Sequence, residues 1–451
     1  MKLTYDVKDK PKFGQLIVFA FQQLLAILAA TIAVPSIVQN GMSQSAALFG
    51  AGVGTIVYLL FTKFRSPVFL GSSFAFLGSM SAAFAGAYAE SAAGHAGLIL
   101  GAIFAGLVYV VIAIAVKIAG VKWINKIMPA VVIGPTVSII GLSLAGNAIG
   151  DLTNSAGVST ASPYVCIICG LVTLFTVVIC SVYGKKTAKL IPFIIGILAG
   201  YIVAAIFTVI GMKTGNDLLK VIDFSIFSGM KIFSVPDFTF MRAIKGIKDI
   251  DGSYIASIAV AYVPVAFVVF AEHIADHKNL SSVIGKELLE DPGLHRTLLG
   301  DGVGSMIGAI FGGCPNTTYG ESVGCVAITG NASVVTILTT AIMAMVISFF
   351  GPFVTFLSSI PSCVMGGVCI TLYGFIAVSG LKMIQVVDLD ANKNLFVVAV
   401  ILICGIGNLS ISFGKVTLTS IACALILGII TNAVLHRGDK EEAELDETKD
   451  R

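Results

Sequence analysis

The hydrophobic positions of this chain fall in long unbroken blocks. They form neither the three-and-four stripe of an amphipathic helix nor the alternation of a half-buried strand. The blocks 98–116, 190–211 and 334–350 reach or approach the roughly 20 residues needed to cross about 30 Å of hydrocarbon. A transmembrane barrel would instead show alternating ten-residue strands. The pattern predicts an all-α polytopic membrane protein of about fourteen spans. They centre near residues 26, 54, 78, 107, 140, 173, 201, 263, 305, 322, 345, 373, 401 and 426. The third, ninth and tenth are short and rich in Gly, Ser or Thr.

Composition agrees. Of 451 residues 57% are hydrophobic and 12% charged, where soluble domains average about 25% charged; the mean hydropathy is +0.97. The net charge of +3 says nothing about nucleic acid, and its placement matters more. Lys8, Lys10 and Lys12 precede the first span, and Lys63 with Arg65 follow the second. Lys117, Lys122 and Lys126 follow the fourth, and Lys185, Lys186 and Lys189 the sixth. Lys278, Lys286 and Arg296 follow the eighth, and Lys382 with Lys393 the twelfth. The loops after spans one, three, five and eleven carry no Lys or Arg. The positive-inside rule then puts both termini in the cytoplasm. The loop after span ten is neutral, and the long basic loop 213–252 is of a kind that obeys the rule poorly. The polar stretch 436–451 predicts a disordered cytoplasmic tail. The polar start runs into a full-length span, unlike a cleavable signal peptide. The nine cysteines lie mostly in apolar runs and act there as small hydrophobes, Cys166-x-x-Cys169 included.

Seven spans per half would invert the second half relative to the first. The interruptions support such a repeat better than residue identity does. Leu70-Gly71-Ser72-Ser73-Phe74-Ala75-Phe76 opens the third span, and 315–321 opens the tenth, the third of its own set. Paired Gly/Pro-interrupted segments point to a midplane site between inverted repeats. Free backbone groups at that depth are tolerated only where buried or lining a cavity.

Two carboxylates stand out. Glu272 closes the apolar run 255–271, and Glu321 follows the break 312–320. A carboxylate at membrane depth costs roughly 2.5–3.5 kcal/mol on insertion scales and is usually retained for function. For Glu272 the alternative is an interfacial acid at a helix end, because His273, Asp276, His277 and Lys278 follow at once. Asp276 lies one turn on, on the same face, and makes the pair a candidate for carrying a proton. For Glu321 the alternative is a capping acid at a helix N-terminus; such an acid can still offer an oxygen to a ligand. His273 and His277 have i, i+4 spacing but lack the His-Glu-x-x-His order, so they are expected as polar residues at the cytoplasmic end, with no metal. No phosphate-binding loop occurs, no Arg ladder of the voltage-sensor kind, and no catalytic motif at depth. Neither a cofactor nor an enzymatic residue is expected. Phe74, Phe76, Tyr319 and Tyr373 are candidates to stack on or edge a flat heterocycle.

Asp291-Pro292-Gly293-Leu294-His295-Arg296, Cys314-Pro315-Asn316-Thr317-Thr318-Tyr319-Gly320-Glu321 and Glu321-Ser322-x-Gly324-x-x-x-x-Thr329-Gly330 resemble the bacterial uracil permeases of the nucleobase–ascorbate transporter (uracil/xanthine permease) family. Gly71–Phe76, Ala271-Glu272-His273 and Leu372-Tyr373-Gly374 also match, so the resemblance covers nearly the whole chain. It implies two inverted repeats of seven spans, with short antiparallel strands interrupting spans three and ten. The core domain would comprise 1–120 (spans 1–4) and 253–357 (spans 8–11). The gate would comprise 121–252 (spans 5–7 and the long loop) and 358–435 (spans 12–14). Phe74 would stack near the base, while Glu272 and Glu321 bind its polar edge. Tyr319 and Gly320 would complete the pocket, with Ser73 and Ala30 nearby, and Tyr373 would close it. Glu272 would also take part in proton coupling, with Asp276 a second candidate from its spacing alone, since the family has a coupling His at that position. A homodimer through the gate is implied as well. Three departures stand against the family pattern: Asp276 replaces a His, Gln22-Gln23 replaces Gln-His, and Ser322 replaces an Asn.

The expectation is a proton-coupled uracil importer of the cytoplasmic membrane, with the bilayer, uracil and H+ as its partners. The alternatives are a xanthine or other purine permease, which would favour Gln-Asn over Gly320-Glu321, and an anion transporter of the same architecture, which Glu321 disfavours. A passive channel and a membrane-embedded enzyme are the remaining classes.

Overall fold

The computed structural model describes all residues except 1–2, 86–90, 121–128, 156–160, 186, 414–415 and 436–451. Lys122, Lys126, Lys186 and the expected tail therefore lie outside the described residues. Each of the expected span centres falls inside a helix. Eight described helices are long and apolar enough to cross a membrane: Phe13–Val38, Gln44–Phe61, Ala92–Ala119, Ala130–Leu152, Pro163–Tyr183, Pro192–Thr214, Gly252–Ile284 and Ser362–Ile384. Shorter apolar helices cover Phe74–Ala85, Val334–Ile347, Asn392–Ile406 and Ser420–Leu435. Side chains such as Leu107, Val111, Ile114 and Ile118 form an exposed apolar stripe at helical spacing, which suits a face turned to lipid.

Two short strands join the halves of the chain. β1 (Leu70–Ser72) pairs antiparallel with β2 (Asn316–Thr318), with Leu70 opposite Thr318, Gly71 opposite Thr317 and Ser72 opposite Asn316. Both strands are buried. Their backbone groups satisfy one another, which is how two broken spans survive at depth. Each strand runs into a helix: 74–76 continues into Leu77–Ala85 from β1, and Gly320–Thr329 follows β2.

The strands are held together by the crossing of helices 44–61 and 294–312, where glycines allow backbone contact. A Cβ on Gly50 would lie 2.4 Å from the Gly308 carbonyl oxygen, and one on Gly304 would lie 2.7 Å from that of Gly54. Small residues permit such an approach between membrane helices. The contact is reciprocal between the two halves. Asn316 then ties β2 to the crossing by donating from Nδ2 to the Gly50 carbonyl (3.2 Å).

Two features differ from expectation and a third was not foreseen. The loop 213–252 contains a short helix, Thr239–Gly246, and Phe233 bridges to Phe350. A second hairpin, Ile411–Phe413 with Val416–Leu418, sits between the last two helices. The sequence made no prediction for the N-terminal segment, which is tied down: Thr4 donates to the Gly330 carbonyl (2.8 Å), Ala332 to that of Tyr5 (2.9 Å) and Val334 to that of Val7 (3.1 Å), while Lys286 pairs with Asp6 at 2.6 Å.

Candidate functional site

The strand pair opens onto a cavity of about 440 Å³. The second strand presents Thr317 and Thr318 to it, followed by Tyr319, Gly320 and Glu321 at the start of helix 320–329. The first strand leads to Ser73 and Phe74, which line the same cavity. Helix 252–284 contributes Glu272, Ala275 and Asp276, and helix 362–384 contributes Leu372, Phe375, Ile376, Ser379 and Met383. The cavity continues to Ser181 and Lys189. Lys189, which is exposed, is the one Lys or Arg among the described lining residues.

Local geometry follows from small residues and backbone satisfaction. A Cβ on Gly71 would lie 2.3 Å from the Tyr319 ring, so only glycine lets that ring lie over β1. The Tyr319 hydroxyl donates to the Ser72 carbonyl (2.9 Å), and its amide to that of Phe69 (3.2 Å). The Ser73 amide donates to the Pro315 carbonyl (2.9 Å), while its buried hydroxyl makes no hydrogen bond. Glu321 sits in the first turn of its helix, where the free amides and the dipole favour a negative charge. Thr318 donates to Asp276 Oδ2 (2.8 Å), tying the acid of one element to the strand of the other.

Of the residues picked out from the sequence, Ser73, Phe74, Glu272, Asp276, Tyr319, Gly320 and Glu321 come together at this cavity. Ala30 and Tyr373 are buried and do not line it. The Tyr373 ring instead meets Phe74 edge-on, 5.9 Å between centroids. Phe76 points away and stacks on Tyr262 (5.5 Å, 22°). Two of the departures from the family pattern touch: Gln23 Nε2 donates to Ser322 Oγ (2.6 Å), and that hydroxyl also accepts from the Phe69 amide (3.1 Å).

The histidines require a correction. His273 and His277, expected as polar residues at the cytoplasmic end, are completely buried. Helix 252–284 runs on to Ile284, so both lie within it. His273 Nδ1 lies 2.7 Å from Asp301 Oδ2, and its Nε2 lies 3.0 Å from the Thr297 hydroxyl. His277 donates from Nδ1 to the His273 carbonyl (2.8 Å), and its Nε2 lies 2.7 Å from the Tyr58 hydroxyl. Asp301 is a buried acid that the sequence pattern did not reveal. It lies between two glycines in helix 294–312, with no apolar block around it to mark its depth. No group of three or more metal-ligating side chains occurs among the described residues.

Residues 14–412 match the permease family along most of the chain. The chain belongs to this family. It is 38% identical to a uracil permease of Bacillus caldolyticus over 96% of this chain and 95% of that one. It is 37% identical to one of Bacillus subtilis over 99% and 98%, and 33% identical to one of Escherichia coli K12 over 94% and 92%. Among solved structures it resembles the transmembrane domain of the cyanobacterial bicarbonate transporter BicA, with a TM-score of 0.60 at 16% identity, covering 94% of this chain and 98% of that one. It also resembles the murine anion transporter Slc26a9 in an inward-facing state, with a TM-score of 0.64 at 12% identity, covering 96% and 69%. These two establish the fold alone. The protein is a multi-pass membrane transporter and not an enzyme.

Proposed function

We propose that this permease imports uracil together with a proton. One observation carries the substrate: Glu272 and Glu321 face a single cavity with Phe74, Ser73 and the ends of two strands. Uracil offers two N–H donors and two carbonyl acceptors. Carboxylates accept from the N–H groups, amides and hydroxyls donate to the carbonyls, and an aromatic ring covers the flat face. Each group left unpaired would cost about 1–3 kcal/mol, which is a basis for selectivity. The uracil permeases to which the chain is similar over nearly their whole length support the same substrate. An anion is disfavoured by the two acids, although both solved neighbours are anion or bicarbonate transporters.

Proton coupling rests on charge. Uracil is neutral, so the membrane potential acts only through a co-transported ion. The acids Glu272, Asp276 and Glu321 line the cavity, and Asp301 lies buried behind it. Of these acids only Asp301 is bonded to a buried histidine, His273, and no Lys or Arg among the described residues is buried. Such a surplus of acid favours taking up a cation with the substrate, and Glu272 and Asp276 are the proposed carriers. One proton crossing 100 mV gains about 2.3 kcal/mol, and one pH unit adds about 1.4 kcal/mol. Together they sustain accumulation of several hundred-fold.

In the proposed architecture fourteen spans form two inverted repeats. Residues 1–120 and 253–357 form the core, 121–252 and 358–435 form the gate, and both termini face the cytoplasm. The core moves against the gate within a homodimer, with Tyr373 closing on Phe74 from the gate side. The cavity runs toward Ser181, Lys189 and Met383, helix ends that the proposed topology puts on the cytoplasmic side, which supports an inward-facing conformer in this reading. Uptake of labelled uracil into proteoliposomes, with and without a pH gradient, tests the proposal. Saturable uptake competed by uracil over xanthine, thymine and sulfate is expected. Uptake that ignores the gradient removes the coupling, and no uptake removes the substrate.

A further inference from the structure

We propose that His273 and Asp301 are positioning residues that fix the rotation of helix 252–284 and so aim Glu272 and Asp276 into the cavity. The inference rests on the assignment of Glu272 as a substrate ligand. Successive helical residues are about 100° apart, so each cavity acid is followed by a histidine on the neighbouring face. Both histidines are anchored. His273 is bonded to Asp301 and Thr297 of helix 294–312, and His277 to Tyr58 of helix 44–61. Those are the two helices locked by the glycine crossing that also carries β1 and β2. The acids are thereby referenced to the same rigid pair that holds the opposite wall of the site.

Helix 252–284 needs such an anchor. Pro264 lies inside it, two turns before Glu272. Proline has no N–H for the backbone ladder and clashes with the preceding turn, so the segment after it is not fully held by its own hydrogen bonds. The anchor is well packed. The two imidazoles stack at 4.1 Å, and Tyr109 meets His273 edge-on at 6.1 Å. His273 is 0% and Asp301 1% exposed, so water does not compete for their bond. Asp301 and Tyr109 also border a chamber of about 10 Å³ with Ser305 and Asn316, too small for substrate. These side chains therefore act through the helix and not by touching the base.

The test is uracil transport by the full-length protein in proteoliposomes, with KM and kcat measured separately and normalised to folded protein. His273→Leu is expected to raise KM about tenfold and change kcat less than about threefold, the scale of one misaligned charge-assisted hydrogen bond. His273→Asn keeps an N–H near Nδ1 and is expected to recover most of the loss. Should His273→Leu fail to fold, Tyr58→Phe removes the His277 contact at constant shape and is expected to raise KM about threefold. Ser79→Ala is the control. It deletes a bond to the same helix, Ser79 Oγ to the Ala261 carbonyl (2.6 Å), away from the acids, and is expected to leave KM unchanged. An unchanged KM in folded His273→Leu (or, should that variant not fold, in Tyr58→Phe), or an equal rise in Ser79→Ala, overturns the proposal. Glu272→Gln separates the two ideas: if its KM also stays at the wild-type value, the substrate assignment fails first.

Discussion

The two broken spans are alike in backbone and unlike in chemistry. Each supplies a three-residue strand, and the two pair across the halves of the chain with Gly71 opposite Thr317. The first continues into Ser73 and Phe74, and the second into Tyr319, Gly320 and Glu321. One half offers a hydroxyl and an aromatic face, and the other a carboxylate at a helix N-terminus. Backbone symmetry builds the cradle, and in the proposed function side-chain asymmetry would give a flat heterocycle one way round to lie in it. The acids on helix 252–284 come from the second half too, so hydrogen-bond recognition is concentrated there.

Breaking the asymmetry on its polar side has the largest expected effect. Glu321→Gln replaces a charged acceptor by a neutral amide and is expected to weaken uracil binding by about 1.5–3 kcal/mol, roughly ten- to hundredfold in Kd, measured by calorimetry on purified protein. Phe74→Ala removes the face of the other half and is expected to cost about 1–3 kcal/mol, while Phe74→Tyr keeps affinity within about threefold. Equal losses in Phe74→Ala and Phe74→Tyr would mean that packing against Tyr373, and not stacking, sets the effect. Gly71→Ala strikes the shared backbone and is expected to destabilise by about 1–3 kcal/mol, read as a lowered melting temperature, because the added methyl meets the Tyr319 ring.

The smallest effect lies outside the site, at the N-terminal segment. Its ion pair with Lys286 holds the Asp6 carboxyl below its usual 3.8. A lowered folded value means that the contribution is present at neutral pH and lost as pH falls through and below 3.8. The pair is nearly half exposed, so Asp6→Asn is expected to cost under about 1 kcal/mol at pH 7. The difference from wild type should shrink in melts as pH falls below 3.8.

Much of this was legible in the sequence. The apolar blocks placed the centre of each expected span inside a helix, the interruptions at 70–76 and 315–321 marked the two broken spans, and the strand pair was expected from the family resemblance. Glu272, Asp276 and Glu321 announced themselves as acids beside apolar runs. The depth of His273 and His277 was hidden by Lys278, which read as the end of the helix, although the helix continues past it to Ile284. Asp301 was hidden because its helix is glycine-rich and weakly apolar, its depth coming from contacts across the fold. The hairpin at 411–418 had a signal in the alternation Ile411-Ser412-Phe413 and Val416-Thr417-Leu418, which is the period of a strand. That Gln23 and Ser322 touch required the fold itself, since 299 positions separate them.

The most direct test is a structure of the protein with uracil bound. The account predicts the base between Phe74 and helix 320–329, with Glu272 and Glu321 oxygens within hydrogen-bond distance of its ring nitrogens. A base bound elsewhere, or one whose carbonyl oxygens face the two carboxylates, would contradict it.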